Sequence, residues 1–161
     1  MKTIIIYTTK YGSVTKAAEK LIAKLQGKTD IVNLATNPIP DLNDYDAVVL
    51  AGSIYMGKVQ SKLRKFAEQN LKALLNKKVG LFVCAGEQDP VKQLLQIQNS
   101  FPKELFDSAL AKETFGYEMD ISKFSFFDKL IVKVVGGSKE NRSVFDDKKI
   151  EEFAKRLSAK I

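Results

Sequence analysis

The chain has 161 residues, 45% of them hydrophobic and 28% charged, with a formal net charge of +7, as expected of one globular domain long enough to bury a core. It holds no histidine and one cysteine, Cys84, which excludes an internal disulfide framework, a Cys-His nucleophile pair and a hydroxyl-His-carboxylate triad; any reaction then draws its chemistry from a cofactor. The cationic excess favours an anionic partner, whether nucleic acid, acidic protein or anionic membrane surface.

In chain order, the first predicted element is a strand carrying Ile4-Ile5-Ile6. It ends in the hydroxyl-rich turn Thr8-Thr9-Lys10-Tyr11-Gly12-Ser13, and a helix follows from about Val14 with Ala17, Ala18, Leu21, Ile22 and Leu25 at helical spacing. A buried strand, a Gly turn and a helix N-terminus make a phosphate cradle, because unpaired N–H groups and the positive end of the helix dipole meet in one concavity. Hydroxyls of Thr8, Thr9, Ser13 or Thr15 would add uncharged donors, which suits a phosphate monoester better than a metal. The same residues also describe an ordinary βα turn with a capping Ser and nothing bound. Neither Gly-x-x-x-x-Gly-Lys-Ser/Thr nor Gly-x-Gly-x-x-Gly is present, and Asn33 rather than an acid ends the second strand, against an NTPase or dinucleotide site. A receiver domain would need acidic residues where Tyr7, Thr8 and Gly52 stand. A mononucleotide remains.

After Gly27, Ile31 to Leu34 reads as the second strand, and Pro38 and Pro40 mark a loop. Ala47-Val48-Val49-Leu50-Ala51 is the kind of run expected of a parallel strand covered on both faces. The turn Gly52-Ser53-Ile54-Tyr55-Met56-Gly57 follows, then one helix over Ser61 to Leu75 with Leu63, Phe66, Ala67, Leu71 and Leu74 on a common face. Val79 to Cys84 is the fourth strand, Ala85 to Pro90 a loop, Val91 to Asn99 a short helix, and Ala109 to Phe115 the fifth strand. The last helix spans Asp147 to Ala159, with Asp146 and Asp147 suited to its N-terminus. This alternation predicts an α/β fold of right-handed crossovers, with a parallel sheet between two helical layers.

Residues 116 to 145 are too many for a bare βα loop. Ser125 and Asp128 resemble a capping box, Gly136 is a natural stop, and the helix between carries aromatics and aliphatics with Lys129 and Lys133. Phe124, Phe126 and Phe127 fit either a core, with the helix as a lid over the site, or a membrane or partner surface. Cys84 reads more readily as a small buried hydrophobe than as a redox thiol. No apolar run, Ala47 to Ala51 and Leu130 to Val135 included, is long enough to span a bilayer. Met1-Lys2-Thr3 leads straight into a strand without a signal peptide, so a cytoplasmic protein is expected.

In an open parallel sheet the ligand lies beyond the carboxyl ends of the strands at the switch in strand order. Three loops meet that description: Thr8 to Ser13, Ser53 to Gly57 and Cys84 to Gln88. On these residues the whole chain resembles the flavodoxin-fold FMN-binding proteins. The sharper resemblance is to the menaquinone-dependent protoporphyrinogen IX dehydrogenases, carried by Gly52-Ser53-Ile54-Tyr55-x-Gly57 and by Phe127-Asp128-Lys129-x-x-x-Lys133-x-x-Gly136-Gly137.

That resemblance implies a single flavodoxin-like domain over 1–161, with five parallel strands in the order 2-1-3-4-5 and an insertion over 116–145. It implies FMN, with the phosphate at Thr9, Lys10, Tyr11, Gly12, Ser13 and Val14, and the ring between Ser53, Ile54, Tyr55, Met56 and Gly57 on one side and Cys84, Ala85, Gly86, Glu87 and Gln88 on the other. No catalytic side chain and no metal ligand is expected. The implied partners are a porphyrinogen-like substrate, a quinone or other electron acceptor, and an anionic membrane surface met through the insertion, which would place the protein peripherally on the inner membrane face. A flavodoxin-type electron carrier or quinone reductase is the alternative. A flavin-free scaffold or nucleic-acid binder is disfavoured, because the lysines are dispersed and no aromatic-basic recognition motif is present. Two features depart from ordinary flavodoxins: Val14 stands where a Thr is common, and the chain is basic rather than acidic.

Overall fold

Ile4, Ile5 and Ile6 send alternate side chains to opposite faces of β1 (Lys2–Tyr7), and all three are fully buried. Such a strand needs cover on both sides, and the chain supplies it with two helical layers. In the computed structural model, which describes residues 1–134 and 140–159, the further elements are α1 (Ser13–Ile22), β2 (Lys28–Asn33), β3 (Ala47–Ser53), α2 (Ser61–Gln69), α3 (Leu71–Leu75), β4 (Lys78–Cys84), α4 (Pro90–Gln98), α5 (Lys103–Ser108), β5 (Ala111–Thr114), β6 (Gly116–Met119), α6 (Phe126–Val134), β7 (Arg142–Phe145) and α7 (Asp147–Ser158).

The main sheet is parallel with the order β2-β1-β3-β4-β5, as expected, and Ile5 pairs with both Ile31 and Val49. On one face Ile4, Ile6, Val48, Leu50, Leu81 and Val83 pack under Leu63, Ala67, Leu74, Ile97 and Leu105 of α2 to α5. On the other, Ile5, Val49, Phe82 and Phe115 meet Val14, Ala17, Leu21, Phe153 and Leu157 of α1 and α7. Phe82 stacks on Phe115 at 4.4 Å, and Phe153 meets both edge-on at 6.0 and 5.2 Å. Gly80 lets Phe153 approach so closely: a Cβ there would lie 2.6 Å from its ring.

The expected helix over Ser61 to Leu75 is two helices. Asn70 breaks it with φ −107° and ψ 13°, and its side-chain amide donates to the Phe66 carbonyl at 2.9 Å, competing with the helical pattern. The short α5 lies where the sequence pattern predicts no element. Strand five is shorter than expected, and the second strand begins at Lys28 instead of Ile31.

The largest difference lies in the insertion. Its two ends pair as an antiparallel ribbon of β6 and β7, with Gly116 opposite Phe145 and Met119 opposite Arg142. Between them the expected helix appears as α6, with Ser125 Oγ accepting the Asp128 N–H at 3.2 Å in the predicted cap. The proposed stop at Gly136 lies outside the described residues. The ribbon is fixed to the sheet through the Ala85 N–H, which donates to the Gly116 carbonyl at 3.0 Å.

Candidate functional site

The three predicted loops converge beyond the carboxyl ends of β1, β3 and β4, around a cavity of about 410 Å³. That is a size suited to a small organic cofactor. Lys10, Tyr11 and Ser13 reach it from the first loop, Ser53 to Met56 from the second, and Cys84 to Gly86 from the third.

The other predicted residues support these walls without lining them. Gly12 precedes α1 with φ +91°, in the left-handed region, and a Cβ there would meet no atom within 4 Å. Open space beside a helix N-terminus is what an approaching phosphate requires, since the first helical N–H groups have no partner within the helix. Thr9 Oγ1 accepts the Gly12 N–H at 3.0 Å and holds the turn. Val14 is fully buried against the sheet, so only its backbone N–H can serve a ligand. Gly57 completes the turn in which Tyr55 and Lys58 bridge. Glu87 and Gln88 face a neighbouring hollow, and the Glu87 carboxylate accepts the Gln88 and Asp89 N–H groups, each at 2.9 Å.

Most of the hydroxyls expected to serve a phosphate have protein partners. Thr8 donates to Gln60 Oε1 at 2.7 Å, and the Gln60 amide donates to Ser53 Oγ at 2.7 Å, so Gln60 ties the first loop to the second. Thr15 donates to the Tyr7 hydroxyl at 3.3 Å. Ser13 Oγ donates to the Glu118 carbonyl at 2.6 Å and accepts the Glu118 N–H at 3.1 Å, while Lys16 pairs with the Glu118 carboxylate. The first turn of α1 is thereby fastened to β6. A phosphate would rest chiefly on backbone N–H groups and the helix dipole.

A lid over the site is one of the roles the sequence leaves open for the insertion, but the β6 residues that form the wall are not singled out by it. Tyr117, Glu118 and Met119 of β6 line the cavity, and Phe124, Asp128, Ile131 and Val132 line it from the α6 side as a partial roof. A Cβ on Gly86 would stand 3.4 Å from the Tyr117 ring, so that ring backs the third loop. The available signal is faint: aromatic residues at both ends of the insertion, Phe115 and Tyr117 at one and Phe145 beside Val144 at the other.

Asp128 is the electrostatic centre of this roof. Only 5% exposed, it accepts hydrogen bonds from the Tyr11 hydroxyl, the Tyr55 hydroxyl at 2.6 Å and Ser125 Oγ at 3.0 Å, and pairs with Lys10 Nζ at 2.8 Å. Lys10 Nζ also lies 3.6 Å from the centre of the Tyr55 ring. Desolvation lowers the Lys10 pKa, but hydrogen bonding and charge attraction from Asp128 and Tyr55 outweigh it and hold the ammonium above its ordinary value. Cys84 is 2% exposed at the cavity floor, and burial pushes its thiol pKa far up, which disfavours the reactive thiolate.

Comparison with known proteins agrees with the geometry. Over 173 aligned residues, covering 98% of this chain and 95% of the other, the chain is 24% identical to the protoporphyrinogen IX dehydrogenase [quinone] of Escherichia coli (strain K12). The Streptococcus pneumonia TIGR4 flavodoxin superposes with a TM-score of 0.62 at 15% identity, covering 100% of both chains. The oxidised flavodoxin 1 of Bacillus cereus superposes with a TM-score of 0.56 at 12% identity, covering 98% of this chain and 97% of that one. At those identities the superpositions speak for the fold alone. A family model for the flavodoxin domain matches residues 4–144, the span that carries the sheet, the three loops and most of the roof, and on that match the chain belongs to the flavodoxin domain family.

Proposed function

We propose that this chain is an FMN-dependent oxidoreductase that takes a hydride equivalent from a porphyrinogen-like substrate and delivers the electron pair to a quinone, which leaves as the quinol. The observation that carries this reading is the added wall: α6 and β6 bring Tyr117, Met119, Phe124, Ile131 and Val132 against the space beyond the three loops, as a half-open cleft with a largely apolar side. An electron shuttle needs only an exposed cofactor edge, whereas a dehydrogenase needs an apolar surface beside the ring against which a flat substrate can lie. The Escherichia coli relative, matched over 98% of this chain, supports the same choice.

The residues present fit the cofactor. Backbone N–H groups of Ser13 and Val14, beside the open space at Gly12, would hold the phosphate. Tyr55 and Met56 would flank the ring on one side and Cys84, Ala85 and Gly86 on the other. Bound FMN supplies two-electron acceptance, chemistry the side chains lack. The chain's part is to orient the substrate and exclude water, which suits Ile131, Val132 and Phe124 over the cavity.

The outer face of α6 completes the proposal. Phe126 and Phe127 are 77% and 73% exposed, and Lys129 and Lys133 on the same helix are exposed too. Aromatics that insert shallowly beside lysines that meet acidic headgroups give reversible docking at an anionic membrane, where a quinone is found. No helix of the described residues is long and apolar enough to cross a membrane.

Anaerobic turnover of protoporphyrinogen IX with a soluble menaquinone analogue tests the reading. FMN-dependent formation of porphyrin with equimolar consumption of the analogue per electron pair is expected. An FMN-loaded protein that exchanges electrons with dyes or quinones but leaves the porphyrinogen untouched would instead be an electron carrier or quinone reductase.

A further inference from the structure

We propose that Asp128 is a positioning residue: a clasp that holds α6 over the cavity and sets the Tyr55 ring facing it. The ring's role rests on the flavin reading above; the clasp itself does not.

A surface helix ordinarily docks by burying an apolar stripe. In α6 the pattern is inverted. Its one buried residue is Asp128, while Phe126, Phe127, Leu130, Ile131 and Val134 are each between 48% and 78% exposed. A buried carboxylate is tolerated only where donors and cations replace the water it has lost. Here they come from two other loops. Tyr11 and Lys10 follow β1, Tyr55 follows β3, and their polar groups meet on the two carboxylate oxygens, with Ser125 adding a bond from the helix cap itself.

Secondary contacts tighten the junction. The Tyr11 hydroxyl accepts the Ser125 N–H at 3.2 Å, and the Tyr11 ring lies 4.6 Å from that of Phe124, just ahead of α6. One carboxylate thus joins the phosphate-side loop, the ring-side loop and the roof. Lid closure and placement of Tyr55 are coupled through it, so a cofactor that needs Tyr55 in place also favours the closed lid.

Asp128→Asn tests this directly, because it keeps the size while removing the charge and half of the acceptor capacity. Trypsin cleavage after Lys123, Lys129 and Lys133 reports whether α6 stays docked, with or without FMN. FMN affinity and the quenching of bound-flavin fluorescence report the Tyr55 ring. In Asp128→Asn, cleavage should quicken roughly tenfold or more, as the opened population rises. FMN should bind about tenfold more weakly and be less quenched. Tyr55→Phe should reproduce the quenching defect, and the double variant should add little to either single one, because both break the same junction. Asp128→Glu should restore part of the quenching.

Wild-type cleavage in Asp128→Asn would overturn the clasp, as would tighter FMN binding, which would make Asp128 an internal competitor for an anionic ligand. Faster cleavage with unchanged affinity and quenching, or fully additive effects of the two variants, would overturn the positioning role. A wild-type protein that binds no FMN would sink the flavin reading, while the cleavage of the cofactor-free chain would still decide the clasp.

Discussion

Gly12 separates a phosphate cradle from an empty turn more cleanly than any other position. Its φ of +91° strains most side chains, yet a Cβ would meet no protein atom within 4 Å. The two effects can be divided by the choice of replacement. Asn enters the left-handed region with little penalty, whereas a β-branched Val would add about 1–2 kcal/mol of backbone strain. In a chain of this size that strain lowers Tm by roughly 2–8 °C. Gly12→Asn should therefore leave the melting of the cofactor-free protein nearly unchanged while placing a side chain in the open space. If a phosphate sits there, at least one charge-assisted bond is lost, at about 1.5–3 kcal/mol, or about ten- to hundredfold in Kd. Isothermal titration with FMN, read beside the melting curve, is the assay. Wild-type affinity in Gly12→Asn would show that the phosphate binds elsewhere. A loss of affinity matched by an equal loss of stability would show only that the turn had been damaged.

The buried Cys84 thiol has a pKa raised above its ordinary 9.0, so the unfolded chain loses that proton first and stability falls as pH rises through 9.0. Unfolding free energies from urea melts between pH 9 and 10 should decline in the wild type by up to about 1.4 kcal/mol per pH unit, less steeply in Cys84→Ala; equal slopes would contradict the shift. Cys84→Ser should keep turnover, since no thiol is required, and an FMN-loaded but inactive Cys84→Ser would contradict that. Gly80→Ala forces a methyl against the Phe153 ring and should cost about 1–3 kcal/mol of stability with FMN affinity untouched; an unchanged Tm would show that α7 shifts freely. Lys129→Glu with Lys133→Glu should abolish flotation with anionic vesicles at low salt, at about 1 kcal/mol for each lysine lost, and leave FMN content unchanged. A wild type that never floats would refute membrane docking.

The parts of the fold legible in the sequence are those written in local pattern. Ile4 to Ile6 and Ala47 to Ala51 are apolar runs that only strands covered on both faces explain, and the Gly-containing turns after them mark the cavity. Where one polar side chain intervenes, local pattern misleads: Leu63, Ala67 and Leu74 lie on the predicted face, but Asn70 splits the helix that carries them. The helix α5 buries little beyond Leu105 and offers no periodicity to read. The pairing of β6 with β7 joins runs separated by the whole insertion, and no short-range signal specifies it. Asp128 is the instructive case. As a capping residue it was visible three positions from Ser125, but its bonds to Tyr11 and Tyr55 cross 117 and 73 residues of chain. For the same reason the roof of the site could not be read from loops alone. Glu87 and Gln88 belong to the third loop, yet the turn directs them to its other side.

FMN is the proposed occupant of the cavity at the ends of β1, β3 and β4. Titration of the purified full-length chain with FMN, followed by the visible flavin bands and the quenching of flavin fluorescence, tests it most directly. One FMN per chain is predicted, with saturable quenching that Gly12→Asn weakens. A chain that neither retains flavin on purification nor takes up FMN in titration would contradict the account.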